Sequence, residues 1–175
     1  AYSTGATSLF YMKFKNTLQY CSFSGPLGPM TLAAHGNALA GIWFDGQQHQ
    51  PARTSWTATN NHPVLQQTAL QLQEYFAGKR TTFDLPLDLS GGTVFQQQVW
   101  RALLDIPSGA TTSYGAISQR IGKPSAVRAV GAAVGRNPLS IVVPCHRVVG
   151  AKGALTGYAG GLERKIALLQ LESTH

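Results

Sequence analysis

Between Leu18 and Phe44 the chain runs as short apolar-rich stretches, "LQYCSF", "MTLAAH" and "ALAGIWF", separated by "SGPLGP" and "GN". Runs of that length bounded by Gly, Pro and Asn predict strands joined by tight turns. The period then changes. In "PVLQQTALQLQEYFAG", Val64, Leu65, Thr68, Leu72, Tyr75 and Phe76 recur at helical spacing, Pro63 suits a first turn, and Gly78 can end the helix. "TTFDLPLDL" returns to alternation and predicts one more strand. Residues 1–90 therefore describe a small α/β domain, a short antiparallel sheet plus a helix, with no obvious chemistry of its own.

"SGG" at 90–92 marks the expected boundary with a second domain, residues 91–175. Thr93 and Gln96 form a T-x-x-Q capping box that opens a helix through Phe95, Val99, Trp100, Leu103 and Leu104, and "IPSG" stops it. A short helix from Ser113 to Ile121, a turn at Gly122-Lys123-Pro124, and a second helix capped by Ser125 and ended by Gly135 or Asn137 predict a helix-turn-helix. That second helix is bare on one side. Ala126, Ala129, Gly131, Ala132 and Ala133 surround one long polar side chain, Arg128. Small residues serve close packing against another helix or against nucleic acid, and a lone guanidinium favours the latter. After the glycine-rich "GALTGYAGG", Leu162, Ile166 and Leu169 share one helical face, which should pack inward. Glu172 comes round toward that side, where burial would demand a donor, and His146 is the obvious candidate. The fold class expected is α+β, with a mostly helical C-terminal domain.

Length and composition then narrow the classes. A chain of 175 residues with 43% hydrophobic residues can bury a substantial core. No uninterrupted apolar run approaches the ~20 residues of a membrane span. In residues 1–15 the basic residues follow the apolar ones, unlike a secretory signal, and Met12 is a candidate start. With Cys21 and Cys145 as the only cysteines, a disulfide scaffold is disfavoured and a cytoplasmic setting fits. His35, His49 and His62 lack metal-ligand spacing and read as surface or satisfied side chains, so no metal is predicted. Charge adds more. Residues 1–90 carry five Lys/Arg against four Asp/Glu, whereas residues 91–175 carry nine against three. A near-neutral half beside a basic one suits a polyanion partner as well as it suits a solubilising surface.

"IVVPCHRVVG", residues 141–150, holds the candidate chemistry. Cys145 after an apolar run can be core filling, a metal ligand or a nucleophile. A thiol becomes a strong nucleophile only as a thiolate, favoured by a base or a positive field. His146 adjoins it, but neighbours in an extended strand face opposite ways, so contact requires a turn after Pro144. A Glu172–His146–Cys145 relay would repeat the acid–base–nucleophile logic of hydrolytic triads.

"IVVPCHRVVG" also resembles the active-site motif of the O6-alkylguanine–DNA alkyltransferases, whose signature is Pro-Cys-His-Arg after branched apolar residues. "SYGAISQRIGKPSAVRAVG", "GRNP" and "LTGYAGGLERKIALLQLE" resemble that family's DNA-binding helices, asparagine hinge, and substrate loop with closing helix, in order. "SGPLGPMTLAA" and "LQEYFAG" resemble its more variable N-terminal domain. The resemblance implies a methylated-DNA–protein-cysteine methyltransferase: a suicide enzyme that flips O6-alkylguanine, with O4-alkylthymine as a second lesion, out of duplex DNA. In it Cys145 is the nucleophile, His146 its base through a water, Glu172 the residue that orients the imidazole, and Asn137 the holder of the hinge. Tyr114 donates to the departing guanine, and Arg128 enters the stack in place of the flipped nucleotide. Ser113, Ala126, Ala129 and Gly131 complete a surface for the minor groove. The lesion pocket falls to the Cys145 and Val148 carbonyls and the loop at Tyr158 and Ala159, with Val134 and Ser140 setting its breadth. Ala159 departs from the serine common in the family and loses a hydroxyl. The resemblance further implies no cofactor, a monomer, and a bacterial, nucleoid-associated protein. Two other readings remain: a non-catalytic alkylated-base binder, and a cysteine hydrolase using Cys145 and His146.

Overall fold

The computed structural model describes residues 18–174, so Met12 and the residues before Leu18 lie outside the described residues. Strands β1 (Leu18–Gly25), β2 (Gly28–His35) and β3 (Ala38–Phe44) form an antiparallel meander. β4 (Thr57–Ala58) adds to β1 in parallel, giving the order β3-β2-β1-β4. Residues 30–34 and 39–44 are buried without alternation, so both faces of these two strands are covered. Helix α1 (Pro63–Phe76) packs on this sheet. His62 caps it: Nδ1 accepts from the Val64 amide at 3.2 Å while Nε2 meets Gly36 O at 2.8 Å. Gly78, at φ +74°, ends it.

"TTFDLPLDL" does not form the expected strand. Only an isolated parallel bridge joins Leu87 to Leu39. Pro86 has no amide to give; its carbonyl accepts from Leu39, and the Asp88 amide returns to Leu39 O. The buried Gln71 side chain pairs with both the amide and the carbonyl of Asp84, so a side chain does the work of a missing ladder.

The C-terminal part opens with α2 (Val94–Leu103), where both bonds of the Thr93–Gln96 capping box are made. Helices α3 (Tyr114–Arg120) and α4 (Val127–Gly135) flank the turn at Gly122 and form the helix-turn-helix. Ser113 caps α3 through the Ala116 amide at 3.0 Å. Ser125 does not cap α4. Ala126 occupies that position without a side-chain bond, because the turn is closed by its amide donating to Lys123 O and runs one residue further. Two short strands, β5 (Thr112–Ser113) and β6 (Val148–Val149), pair in parallel.

Helix α5 (Leu162–Ser173) turns a different face inward from the one its leucines predict. Leu162 is 44% exposed, and the buried residues are Lys165, Leu168 and Glu172. Both charged residues find hydrogen-bond partners in the interior, and a buried charge with partners outweighs the stripe of Leu162, Ile166 and Leu169.

One continuous core joins the two parts, running from Met30, Leu32 and Phe44 to Trp100, Val130, Leu139 and Leu168. Trp100 is fully buried and its indole N–H donates to Ala133 O at 2.8 Å, which fixes α4 on α2. The indole leaves no room at Gly92, where an added Cβ would come within 2.3 Å of the ring. Gly92→Ala is therefore expected to destabilise the fold by about 1–3 kcal/mol through overpacking, measured by urea unfolding. An unchanged midpoint would show that the indole can move.

Candidate active site

The segment from Asn137 to Arg147 is built from bends rather than from regular structure. Ile42 in β3 brackets it: the Ile42 amide donates to Pro138 O at 2.8 Å, and the Ser140 amide donates to Ile42 O at 3.1 Å. Two three-residue turns follow. Val142 N–H closes on Ser140 O around Ile141, which sits at φ +74°, a conformation that strains a β-branched residue by about 1–3 kcal/mol. Cys145 N–H closes on Val143 O around Pro144, whose φ of −82° and ψ of 64° belong to the relaxed hand of the same turn. A single 3₁₀ turn, Cys145–Arg147, then carries all three motif side chains inward.

Asn137 holds these bends together. Its Oδ1 accepts the Leu139 amide at 2.9 Å, and its Nδ2 donates to Val143 O at 2.8 Å and to Cys145 Sγ at 3.1 Å. The side chain that shapes the segment thus also points a donor at the sulfur. Burial pushes the Cys145 thiol up, opposed by the Asn137 bond and by the charge of Lys165. At rest the residue is a thiol.

His146 is fully buried, and its Nε2 lies 2.8 Å from Glu172 Oε2. Its Nδ1 is buried with no hydrogen-bond partner among the described residues. With Glu172 ionised, Nε2 carries the proton and Nδ1 is the nitrogen free to accept one. Burial lowers the His146 pKa, and Glu172 opposes that shift without overcoming it. Glu172 accepts further bonds from Arg147 Nε at 2.8 Å, from Arg147 Nη2 at 2.8 Å and from the Tyr75 hydroxyl at 2.7 Å. Burial alone would raise this carboxyl, but the Arg147, His146 and Tyr75 donors outweigh it and hold it at about 2. Arg147 is anchored in turn on Ile106 O at 2.6 Å.

The remaining candidates fall into two groups. Val148 and Tyr158 line the same interior: the Val148 carbonyl accepts from Lys165 Nζ at 2.7 Å, and the buried Tyr158 hydroxyl faces Cys145 and Ser140. Val134 and Ser140 are buried beside them, and Ala159 is half-buried with its carbonyl on the Gln48 amide at 3.1 Å. Tyr114 lies at the head of α3 with its hydroxyl 3.0 Å from Thr156 Oγ1, and its ring lies 3.9 Å from where a Cβ on Gly131 would sit. Arg128 and Ala129 are exposed on α4, away from the thiol's hydrogen-bond network, with Ala126 and Gly131 half-buried beside them. Ser113 uses its hydroxyl as a helix cap. The basic half is also less basic on its surface than its composition suggests, since Arg147 and Lys165 are interior and Arg120 pairs with Asp105 at 2.6 Å.

Tyr75, Lys165 and Arg147 are the site residues that sequence reasoning did not assign. Lys165 carried a usable signal, because it lies seven residues before Glu172 on the same helical face. Tyr75 carried none beyond its place in an apolar stripe.

The family model described as 6-O-methylguanine DNA methyltransferase, DNA binding domain, matches residues 94–174. The companion described as 6-O-methylguanine DNA methyltransferase, ribonuclease-like domain, matches residues 18–89. The chain belongs to the 6-O-methylguanine DNA methyltransferase family. A methylated-DNA–protein-cysteine methyltransferase of Mycobacterium tuberculosis is 52% identical over 157 residues, 90% of this chain and 93% of its own length. One from Methanosarcina acetivorans is 45% identical over 158 residues, 90% of this chain and 99% of its own. The crystal structure of Mycobacterium tuberculosis OGT in complex with DNA matches with a TM-score of 0.83 at 51% identity, covering 89% of this chain and 93% of that one.

In this methyltransferase fold the Glu172 cluster makes stability depend on pH with a definite sign. Its folded-state pKa, about 2, lies below the ordinary carboxylate value, so its contribution is present above that value and is lost as pH falls toward 2. The shift corresponds to about 3 kcal/mol. Glu172→Gln is expected to be less stable than the parent at neutral pH, with the gap in urea midpoint narrowing from pH ~5 to pH ~2. A gap that stays constant across that window would show that Glu172 is not ionised in the fold.

Proposed function

We infer that the protein repairs DNA by moving the alkyl group of O6-alkylguanine onto Cys145, once per molecule. The observation that carries this is a buried thiol held by Asn137 Nδ2 beside a neutral imidazole that a carboxylate backs. The Cys145 sulfur attacks the alkyl carbon in line. The S–C bond forms, the C–O6 bond breaks, and the electron pair leaves with the guanine. The thiol proton passes through a water to His146 Nδ1, and Glu172 stabilises the imidazolium that results. Because the thiol is protonated at rest, the base is needed at the moment of attack. Tyr114 donates to the departing guanine as charge develops on it. The thioether product resists hydrolysis, which makes the reaction stoichiometric.

The target carbon is out of reach inside the base stack, so the lesion must be flipped. The exposed, small-residue face of α4, with Ala126, Ala129 and Gly131, meets the minor groove, and Ser113 lies at its edge. Arg128 takes the place of the extruded nucleotide; its exposure supports this role. The Cys145 and Val148 carbonyls and the loop at Tyr158 and Ala159 receive the base, and Val134 and Ser140 limit how large an alkyl group fits. The DNA complex of the Mycobacterium tuberculosis protein supports a DNA partner. The protein acts as a monomer at the bacterial nucleoid. A non-catalytic lesion binder is set aside, since the relatives that share about half its residues bear the methyltransferase name.

Incubation with duplex DNA containing O6-methylguanine is expected to add one methyl group to Cys145, read by mass spectrometry, and Cys145→Ala should gain nothing. A Cys145→Ala protein that still accepts the methyl would sink the assignment. Arg128→Ala should slow repair of duplex DNA roughly ten-fold or more while leaving reaction with free O6-benzylguanine nearly unchanged, since the free base needs no extrusion. Equal losses on both substrates would remove Arg128 from base flipping.

A further inference from the structure

The interior charge network reaches one residue that the chemistry above leaves unused. Tyr75 lies near the end of α1 in the N-terminal part, 97 residues from Glu172. Its hydroxyl donates to Glu172 Oε2 at 2.7 Å, and that same oxygen meets His146 Nε2 at 2.8 Å and Arg147 Nη2 at 2.8 Å. Three donors therefore compete for one oxygen, and one of the three is the imidazole. The Tyr75 ring is locked by Phe76 and Phe83 at centroid distances of 5.4 and 5.5 Å.

We propose that Tyr75 is a positioning residue for alkyl transfer: through its hydroxyl the N-terminal helix fixes the Glu172 oxygen that backs His146 and limits the charge that oxygen offers the imidazole. The proposal rests on the Cys145–His146–Glu172 relay inferred above. The physical case is short. A hydroxyl that donates to a carboxylate turns its positive end toward whatever else that oxygen contacts. It therefore stabilises the carboxylate and opposes the imidazolium. Burial and the Glu172 charge push the Tyr75 phenol far up, so it remains a donor throughout the working range. The other groups facing the pair are Cys145 and Arg147 from the 3₁₀ turn, Lys165 from α5 and Tyr158 from the loop. Arg147 and Lys165 have carbonyl partners elsewhere, Ile106 and Val148, and so serve the backbone as well. Tyr75 reaches the relay with nothing but its hydroxyl.

Tyr75→Phe keeps the ring and removes the donor. Transfer should be followed in single turnover on duplex DNA carrying O6-methylguanine, across the range in which His146 titrates. Loss of the hydroxyl is expected to make His146 easier to protonate. The acid limb of the rate profile should then move up by about half a pH unit or more, so that transfer on that limb falls about three-fold. The rate on the plateau should change far less. A limb that stays in place, or moves down, overturns the proposal, whatever happens to the plateau. Glu172→Gln, measured alongside, separates the two ideas. If it changes neither limb nor rate, the relay itself fails. If it changes them and Tyr75→Phe does not move the limb, only the role of Tyr75 fails. Should Tyr75→Phe not fold, 3-fluorotyrosine placed at position 75 provides a stronger donor of nearly the same size. The limb is then expected to move down, and an unmoved limb overturns the proposal.

Discussion

A carboxylate 4% exposed must be matched by donors or be driven out of the fold, and at Glu172 the matching organises the reactive centre. Arg147 meets it with two nitrogens, His146 with one and Tyr75 with a hydroxyl. Each donor comes from a different stretch of chain or a different position in the 3₁₀ turn, so satisfying one charge aligns α1, α5 and the Cys145–Arg147 turn together. The same demand turns α5 away from its leucine stripe. A buried ion pair is weak grounds for stability compared with an apolar replacement, and removal of one partner is costly. The cluster is therefore better understood as what specifies the geometry around Cys145 than as what holds the domain together.

The second constraint is the backbone around the thiol. A segment that bends twice within six residues cannot satisfy its own amides by regular pairing, and Asn137 supplies three bonds in place of a ladder. Ile141 stays at positive φ because Ile42 pins the chain on one side and Asn137 on the other. The result presents the sulfur to a hydrogen-bond donor while His146 Nδ1 keeps its lone pair free of the described side chains. Burial raises the thiol and lowers the imidazole, so the resting pair is neutral and no thiolate is stored.

Much of this was legible in the residues, and what was hidden has identifiable causes. Thr93 and Gln96 announce a helix start by chemistry that is local, and the capping box is there. The three N-terminal strands follow from apolar runs between glycines for the same reason. "TTFDLPLDL" has the alternation of a strand, but Pro86 and the reach of Gln71 decide against it, and the latter is a tertiary fact. Ser125 looks like a cap, yet the closure of the preceding turn moves the cap to Ala126. On α5, counting apolar residues chose the wrong face because two charges, Lys165 and Glu172, find partners only in the folded chain. Glu172 with His146 was foreseeable from chemistry, since a carboxylate turned inward needs a donor. Tyr75 was not, because nothing in a helical stripe distinguishes a packing tyrosine from one whose hydroxyl meets a charge 97 residues away.

That distance bears on why the N-terminal part exists at all. Its described residues lie far in sequence from Cys145 and His146, yet they touch the C-terminal part around that segment at several points. Ile42 holds Pro138 and Ser140 by backbone bonds, Gln48 holds the Ala159 carbonyl, and Tyr75 holds Glu172. Arg164 adds a further link by donating to both Leu27 O and Gly160 O while lying 4.5 Å from the Phe44 ring. None of these contacts falls on α3 or α4. The N-terminal part therefore braces the thiol segment, while α3 and α4 are held on their inner side by Trp100 and by the core residues Ile117, Val130, Ala133 and Val134. Under the function proposed above, such a division leaves the surface of α4 free to adjust to a duplex without disturbing the alignment of sulfur, imidazole and carboxylate.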